Sequence, residues 1–397
     1  MKKILLSTIG ILLTFGCLAA HAGSDKADIK VMTQNQYLGA DLGPIISADS
    51  NEAYAAAIAG ALQSIAANNF PERAQALGES IADRQPHLVA LQEVYAFECI
   101  DAGFGACAFF DGAFNDHLAL TEAALATQGA DYYVAAELQN LTIPTPFMES
   151  IGLPGLPVFL PGIPGPAMFI SVIDRDVILA RGDVTTSPVA MTCNEPADDG
   201  IGCHFSNILN VTTLAGPIAV KRGHVTVDAW VNGAEYRFVN THLEVHILGG
   251  DPTTAALQAA QATELNATLA GNPAPNPASR LIVAGDINSA PTHEPIGPIV
   301  PPYQQFANGL TIFGFPAFAK MTDTWSLRPG SPNGFTCCEA ADLLNASSGH
   351  DVRYDVVFAR PAPSNVKANV MDAESGDKTA SGLWPSDHAS VIAELSY

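Results

Sequence analysis

The sequence predicts an α/β (α+β) chain in which two packed mixed β-sheets are flanked by helices. Runs that read as strands outnumber those that read as helices, hairpin signals mix with helical crossovers, and no internal repeat is present. The chain of 397 residues is long for one domain, yet nothing in it reads as a linker between two cores. One domain over residues 23–397 is therefore expected.

The elements follow in order. Residues 29–33, Ile-Lys-Val-Met-Thr, read as a first strand, and residues 55–67 and 71–81 as two helices, the second with Pro71 in its first turn. Residues 86–91 form a largely apolar strand running into Gln92-Glu93. A helix is expected over 114–128 and strands over 132–136, 167–173, 177–179, 205–213, 223–231 and 236–240. Val231-Asn232-Gly233 marks a hairpin turn between the last two. The Ala-rich stretch 253–269 reads as a helix, 281–284 as a buried strand ending in Gly285-Asp286, and 353–359 and 389–395 as the closing strands.

The amino terminus carries an address. Lys2-Lys3, an apolar run over residues 4–18 and Ala20-His21-Ala22 form the three parts of a signal peptide over residues 1–22, with cleavage near Gly23. Export to the periplasm or the extracellular space is expected. A lipid-modified Cys17 is the less favoured alternative, because Thr14-Phe15 makes a poor lipobox. No later segment supplies the ~20 apolar residues that span a bilayer.

Cys99, Cys107, Cys193, Cys203, Cys337 and Cys338 follow the signal peptide, an even set in an oxidising compartment. Their spacing suggests Cys99 with Cys107 and Cys193 with Cys203, each stapling a surface loop; Cys337-Cys338 either bridge or stay reduced. Metal ligation by these cysteines is not expected, since no CxxC pair exists. The formal charge of −22 opposes non-specific adhesion to a polyanion, and a monomer is expected.

Five polar clusters end apolar runs: Thr33-Gln34-Asn35, Leu91-Gln92-Glu93, Asn240-Thr241-His242, Gly285-Asp286-Ile287-Asn288 and Ser386-Asp387-His388. One alone is an ordinary turn. Together they supply oxygen ligands, amides and imidazoles of the kind that bind a divalent cation and a phosphate. Glu93 and Asp286 end strands with no cation beside them, so in one cleft they would repel each other unless a metal lay between. Mg2+ suits such a site, with Mn2+ or Ca2+ as alternatives. His242 and His388 are candidates for a base and for a cation near developing charge, whereas His87, His117, His204 and His350 read as structural.

The clusters, in this order, resemble the endonuclease/exonuclease/phosphatase (DNase I-like) superfamily, through Leu-Gln-Glu-Val, Asn-Thr-His-Leu, Gly-Asp-Ile-Asn-Ser-Ala-Pro, Arg-Tyr-Asp-Val-Val-Phe and Ser-Asp-His-Ala. The resemblance runs from about residue 30 to 394 and is nearest in character to exported bacterial neutral sphingomyelinases. It implies a four-layer α/β/β/α sandwich with the site at one end of the sheets. It further implies Glu93 as principal metal ligand with Asn35 beside it and Asp387 near the metal. Asp286 would orient or deprotonate the attacking water, and Asn288 would hold a phosphate oxygen. His242 would donate to the phosphoryl group, and His388, oriented by Asp355, would act as base or electrostatic stabiliser. Two departures stand out. Tyr37 occupies a place that is acidic in the abasic-site nucleases, and Trp384-Pro385 precedes the closing motif where inositol phosphatases tend to be basic. Lys221-Arg222 form either a solvated turn or a contact to substrate phosphate.

An exported Mg2+-dependent phosphoester hydrolase follows, with a phospholipid headgroup (sphingomyelinase or phospholipase C type) the favoured substrate. The alternative is a secreted nuclease acting on DNA or RNA; a silent binding protein on the same fold ranks lower. The lipid reading rests on residues 144–166, an apolar loop too rich in proline for helix or inner strand. That loop either packs on its own protein or faces a membrane surface, and a second Pro-rich segment, 295–303, is expected to act beside it.

Overall fold

The computed structural model describes residues 28–246, 252–312, 315–330 and 332–397. The expected signal peptide, its cleavage near Gly23 and the Cys17 alternative lie outside the described residues.

Strand alternation sets the layers. Ile29, Val31, Leu88, Ala90, Ile178 and Ala180 of one sheet share a core with Val225, Val227, Tyr236, Phe238, Ile282, Ala284, Val357 and Ala359 of the other. The intervening residues Met32, Val89, Leu91, Val177 and Leu179 meet Ile81, Leu118 and Leu125, which belong to helices Phe70–Arg84 and His117–Thr127. On the far side, Val239, Val283, Val356 and Phe358 pack with Ala262, Leu265, Leu269 and Phe306, from helices Pro252–Gly271 and Pro302–Asn308. The result is a four-layer α/β/β/α sandwich, as the resemblance implies.

In the first sheet Asp28–Asn35 lies between Leu88–Gln92, parallel to it, and the antiparallel Ser390–Ser396. In the second, Arg280–Asp286 lies between Ala234–His242, parallel, and Asp355–Arg360, antiparallel. The parallel strands therefore end together, and the clusters after them meet.

The helices obey local rules. Ser50 caps Asn51–Ala67 by accepting from Ala53 N, and Asp116 caps His117–Thr127 by accepting from Leu118 N and Ala119 N. The latter helix therefore starts three residues after its expected position. The expected strands 167–173 and 177–179 are one, Met168–Arg181, because Asp174, Arg175 and Asp176 stay in the ladder as buried residues. Of 205–213 only Leu209–Thr213 is strand, in a separate ribbon with Gly216–Val220. Ala96–Asp101 and Asn365–Met371 are strands that the sequence did not announce. Asn365–Met371 alternates exposed and buried residues at a sheet edge, so its apolar signal is diluted.

Part of the loop 144–166 packs on its own protein, as one of the two expectations has it. Met148, Leu156 and Val158 are buried in a satellite core, while Phe147, Ile151 and Phe159 are exposed. Against expectation it contains a one-turn helix, Pro146–Ser150, which places its proline in the first turn; Leu156–Val158 pairs at an edge. The disulfides Cys99–Cys107 and Cys193–Cys203 form as expected, and Cys337 and Cys338 are joined to each other.

Candidate active site

The site continues the inter-sheet core. Along one face of the strand Ala234–His242, Tyr236 and Phe238 lie in the core, and the same face then carries Asn240 and His242. Ile282 and Ala284 lead likewise to Asp286, Leu88 and Ala90 to Gln92, and Ile29 and Val31 to Thr33 and Asn35. The register sets His242 beside Asp286 and Asp286 beside Asp355. Gly285 makes this approach feasible, because a Cβ there would lie 1.9 Å from the Thr241 carbonyl oxygen.

A polar latch separates core from site. Asn240 Nδ2 crosses between the sheets to donate to the carbonyls of Leu91 and Val177 at 2.8 and 2.9 Å. Gln92 Nε2 donates to Asn240 Oδ1 at 2.7 Å, and Thr33 Oγ1 donates to Gln92 Oε1. These members of the clusters hold the sheets together and stand behind the site.

Beyond the latch, Asn35 Nδ2 donates to Glu93 Oε1 at 3.1 Å and to Asp286 Oδ2 at 3.2 Å. Glu93 Oε2 accepts from Leu38 N. Glu93 sits at φ +55°, and Asn288 at φ +48°, left-handed positions that turn each chain away from its strand. Asp286 Oδ1 accepts from Asn288 N at 2.9 Å, which aims Oδ2 at two imidazoles: His242 Nε2 at 3.6 Å and His388 Nε2 at 3.7 Å. His388 Nδ1 contacts Asp355 Oδ2 at 2.8 Å. Ser386 Oγ donates to the Asn35 carbonyl and accepts from His388 N, binding the last cluster to the first. Arg73, buried, donates to the carbonyls of Asn68, Gln36, Tyr37 and Pro385 and clamps the same two loops.

The charges follow from burial and neighbours. Burial pushes the Asp286 carboxyl up to about 6, with His388 opposing and Asp355 adding. Burial pushes Asp387 up to about 7, with His388 opposing and Glu93 adding. For His388 burial disfavours the charge, but Asp355, Asp286 and Asp387 outweigh it and hold the imidazolium well above the usual histidine range. For His242 burial, then the charges of Arg222 and His388, act together and keep it neutral.

Arg222 sets that neutrality in a second way. Its Nη1 lies 2.9 Å from His242 Nδ1, and a guanidinium can only donate, so Nδ1 is the acceptor and the proton sits on Nε2, facing Asp286. The solvated-turn reading holds for Lys221, which is exposed. Arg222 is buried between Asp174 and Glu244, each at 3.8 Å, so neither a solvated turn nor a free phosphate contact describes it. Sequence reasoning missed Asp174, Asp176 and Glu244. Their signal was charge in the middle of an otherwise apolar strand run, Asp174-Arg175-Asp176. Burial pushes Asp174 up to about 7 despite Arg222.

Asn35, Glu93, His242, Asp286, Asn288, Asp355 and His388 are thus brought into one contiguous cluster. Asp387 adjoins it, its carboxyl within reach of the charges on His388, Glu93 and Asp286. His87, His117 and His204 are away from it: His87 Nδ1 accepts from Lys30 N, His117 stacks on Phe70 at 3.4 Å, and His204 Nε2 contacts the Gln139 carbonyl. His350 sits at its edge, 3.2 Å from Glu339 Oε1 and 3.3 Å from the Asp387 carbonyl.

No family model matches the chain, and no curated protein matches it. Among solved structures it is similar to a D. rerio TDP2 humanized by 14 mutations (14% identity, 93% of this chain and 99% of that chain, TM-score 0.48). It is also similar to an endonuclease/exonuclease/phosphatase from Beutenbergia cavernae (19% identity, 93% and 71%, TM-score 0.47). An endonuclease/exonuclease/phosphatase family protein from Leptotrichia buccalis gives 14% identity over 93% of this chain and 100% of that chain, with TM-score 0.48.

Proposed function

We propose that this protein is an exported, divalent-cation-dependent phosphoester hydrolase of the endonuclease/exonuclease/phosphatase type, acting on a phospholipid headgroup. The observation that carries the hydrolase reading is Asp286 Oδ2 set between a neutral His242 and a charged His388, itself held by Asp355. A carboxylate flanked by one N–H donor and one cation is what hydrolysis of a phosphoester requires: an acceptor for the proton of water, and donors for the charge that develops.

The donor set fits a hard cation. Glu93 and Asp387 are oxygen donors, and beside the burial that raises Asp387 the negative charge of Glu93 adds to it, a repulsion that a cation would remove. Asn35 turns its Nδ2 to Glu93 and its Oδ1 accepts from Tyr37 N, so it orients the carboxylate. Mg2+ held there supplies neutralisation of charge on the phosphoryl oxygens. The chain's own residues do the rest. Asp286 orients the water and takes its proton as the water oxygen bonds to phosphorus and the ester oxygen leaves. His242 Nε2–H and the Asn288 amide bind the non-bridging oxygens. His388, oriented by Asp355, stabilises the charge as an imidazolium.

Support for a lipid comes from a groove of about 960 Å3 whose lining includes Tyr54, Phe147, Leu153, Phe159, Leu160 and Leu214. Tyr54, Leu153 and Leu160 of this lining belong to the same core cluster as Tyr95 and Leu38. The Pro-rich segment 295–303 is not part of this groove; Ile296, Ile299 and Pro301 line a separate cavity of about 350 Å3 with His246 and His293.

The test is hydrolysis of sphingomyelin or phosphatidylcholine vesicles, with and without Mg2+, beside supercoiled plasmid in the same buffer. Mg2+-dependent headgroup release with intact plasmid is the expected result. Nicked plasmid with untouched vesicles would establish the nuclease alternative. Phe147→Ser with Phe159→Ser should weaken vesicle sedimentation by about tenfold, the ~1.4 kcal/mol that burying one aromatic side chain readily supplies, while turnover of a soluble phosphodiester stays unchanged.

A further inference from the structure

The structure brings a second set of metal-ligating atoms to His388. One sulfur each from Cys337 and Cys338 and one imidazole nitrogen of His388 lie within 4.8 Å of one another. No spacing in the sequence announces this, because 50-odd residues separate the cysteines from the histidine. The loop that carries the cysteines is the backbone partner of the site. Cys337 pairs with both Val352 and His388, Glu339 N donates to the Asp387 carbonyl, and Ala389 N donates to the Thr336 carbonyl. Thr336 Oγ1 accepts from Asp355 N. Cys337 is buried and Cys338 is exposed, so one sulfur faces the histidine from inside while the other is open to solvent reagents.

We propose that Cys337 and Cys338, once reduced, form with His388 a site for a soft divalent cation of the Zn2+ or Cd2+ class. Two thiolates and an imidazole are the donors such ions select, with a fourth position left for water, whereas Glu93 and Asp387 are hard donors suited to Mg2+. The two sites therefore differ in chemistry and meet at His388. In the joined form neither sulfur is a thiolate, the form that ligates a metal strongly, and His388 stays with Asp355 and Asp286. A small-molecule dithiol supplies two electrons and two protons: the Cys337–Cys338 bond breaks, each sulfur becomes a thiol, and the reductant closes to its own disulfide. Binding of the cation then releases the two thiol protons and the His388 proton to solvent. On the hydrolase reading above, a cation held this way withdraws His388 from the reaction, so the loop is a redox-gated inhibitory site.

The experiment reads binding without reference to turnover, so it stands even if the hydrolase reading fails. The full chain, as purified and after treatment with a dithiol and its removal without air, is titrated with Cd2+ while the thiolate-to-metal charge-transfer absorbance is followed. The reduced chain should gain a band that saturates, and the as-purified chain should not. Because the other disulfides are also exposed to reductant, the band is defined by what Cys338→Ser removes, a change at an exposed position. His388→Asn should weaken that component by at least the ~10–100-fold that loss of an outer partner alone costs a metal site. A reduced chain whose band is the same in Cys338→Ser, or a His388→Asn variant that binds Cd2+ as tightly as its parent, overturns the proposal. So does a reduced chain that has lost its fold by far-ultraviolet dichroism.

Discussion

Asn240 and His242 stand two residues apart on one face of one strand and do different work. Asn240 bonds to two carbonyls of the opposite sheet, whereas His242 lies where the sheets part and meets Asp286 and Arg222. The latch and the site are therefore successive layers of one inter-sheet face. What separates them is whether a partner strand faces the side chain. A polar group inside the sandwich bonds the opposite sheet, and the next one out meets the candidate site instead.

That division is open to attack. The largest effect is expected at Asp286→Ala and His388→Ala, each lowering turnover of the folded protein by ~10²–10⁴, the usual worth of a general acid–base or charge-stabilising group, although His388→Ala also leaves the buried Asp355 without its partner and lowers the urea midpoint. A variant that keeps turnover removes its residue from the site layer.

Arg222→Ala should damage both layers. It leaves Asp174 and Glu244 as buried charges without their partner, a cost of about 3–5 kcal/mol, and frees the His242 tautomer, so the urea midpoint and turnover fall together. Arg222→Lys should not restore turnover, because an ammonium does not reproduce the planar fork that reaches His242, Asp174 and Glu244.

Asn240→Ala should be a pure stability loss. It strands the carbonyls of Leu91 and Val177 and the amide of Gln92, at about 1–3 kcal/mol for a buried group left unpaired. Turnover of the fraction that remains folded should equal that of the parent; a loss beyond the unfolded fraction would place Asn240 in the site.

The smallest expected effect is a pH dependence with opposite signs in the two properties. Asp286 must be ionised to accept a proton, so turnover should fall as pH drops through about 6. Its folded pKa lies above the ordinary carboxylate value, so the folded state binds the extra proton between about 4 and 6. Its contribution to stability therefore improves over the same fall. Asp286→Asn should flatten that part of the stability profile in urea titrations at stepped pH.

Much of this was legible in the residues. Apolar runs ending in polar clusters marked four strands, although each continues one or two residues past its expected end, to Asn35, Gln92, His242 and Asp286. Met168–Arg181 was read as two strands because three charged residues interrupt it. Those charges are tolerated because each finds a partner: Arg222, from the turn before the strand Gly223–Val231, lies against Asp174, Arg175 pairs with Asp116 and donates to the Val94 carbonyl, and Asp176 accepts from Asn140 Nδ2. Asn365–Met371 escaped because an edge strand with one wet face carries half the apolar signal of an inner one.

By itself the sequence determined that two sheets are flanked by helices and which cysteines of close spacing pair, since each depends on neighbours along the chain. Only the tertiary structure decided that Gln92 and Asn240 are a latch, that Arg222 is buried against His242, and that Cys337 and Cys338 lie beside His388. Period-two alternation says which face of a strand a side chain takes; it does not say what stands opposite, and burial, charge state and coordination all depend on that opposite group.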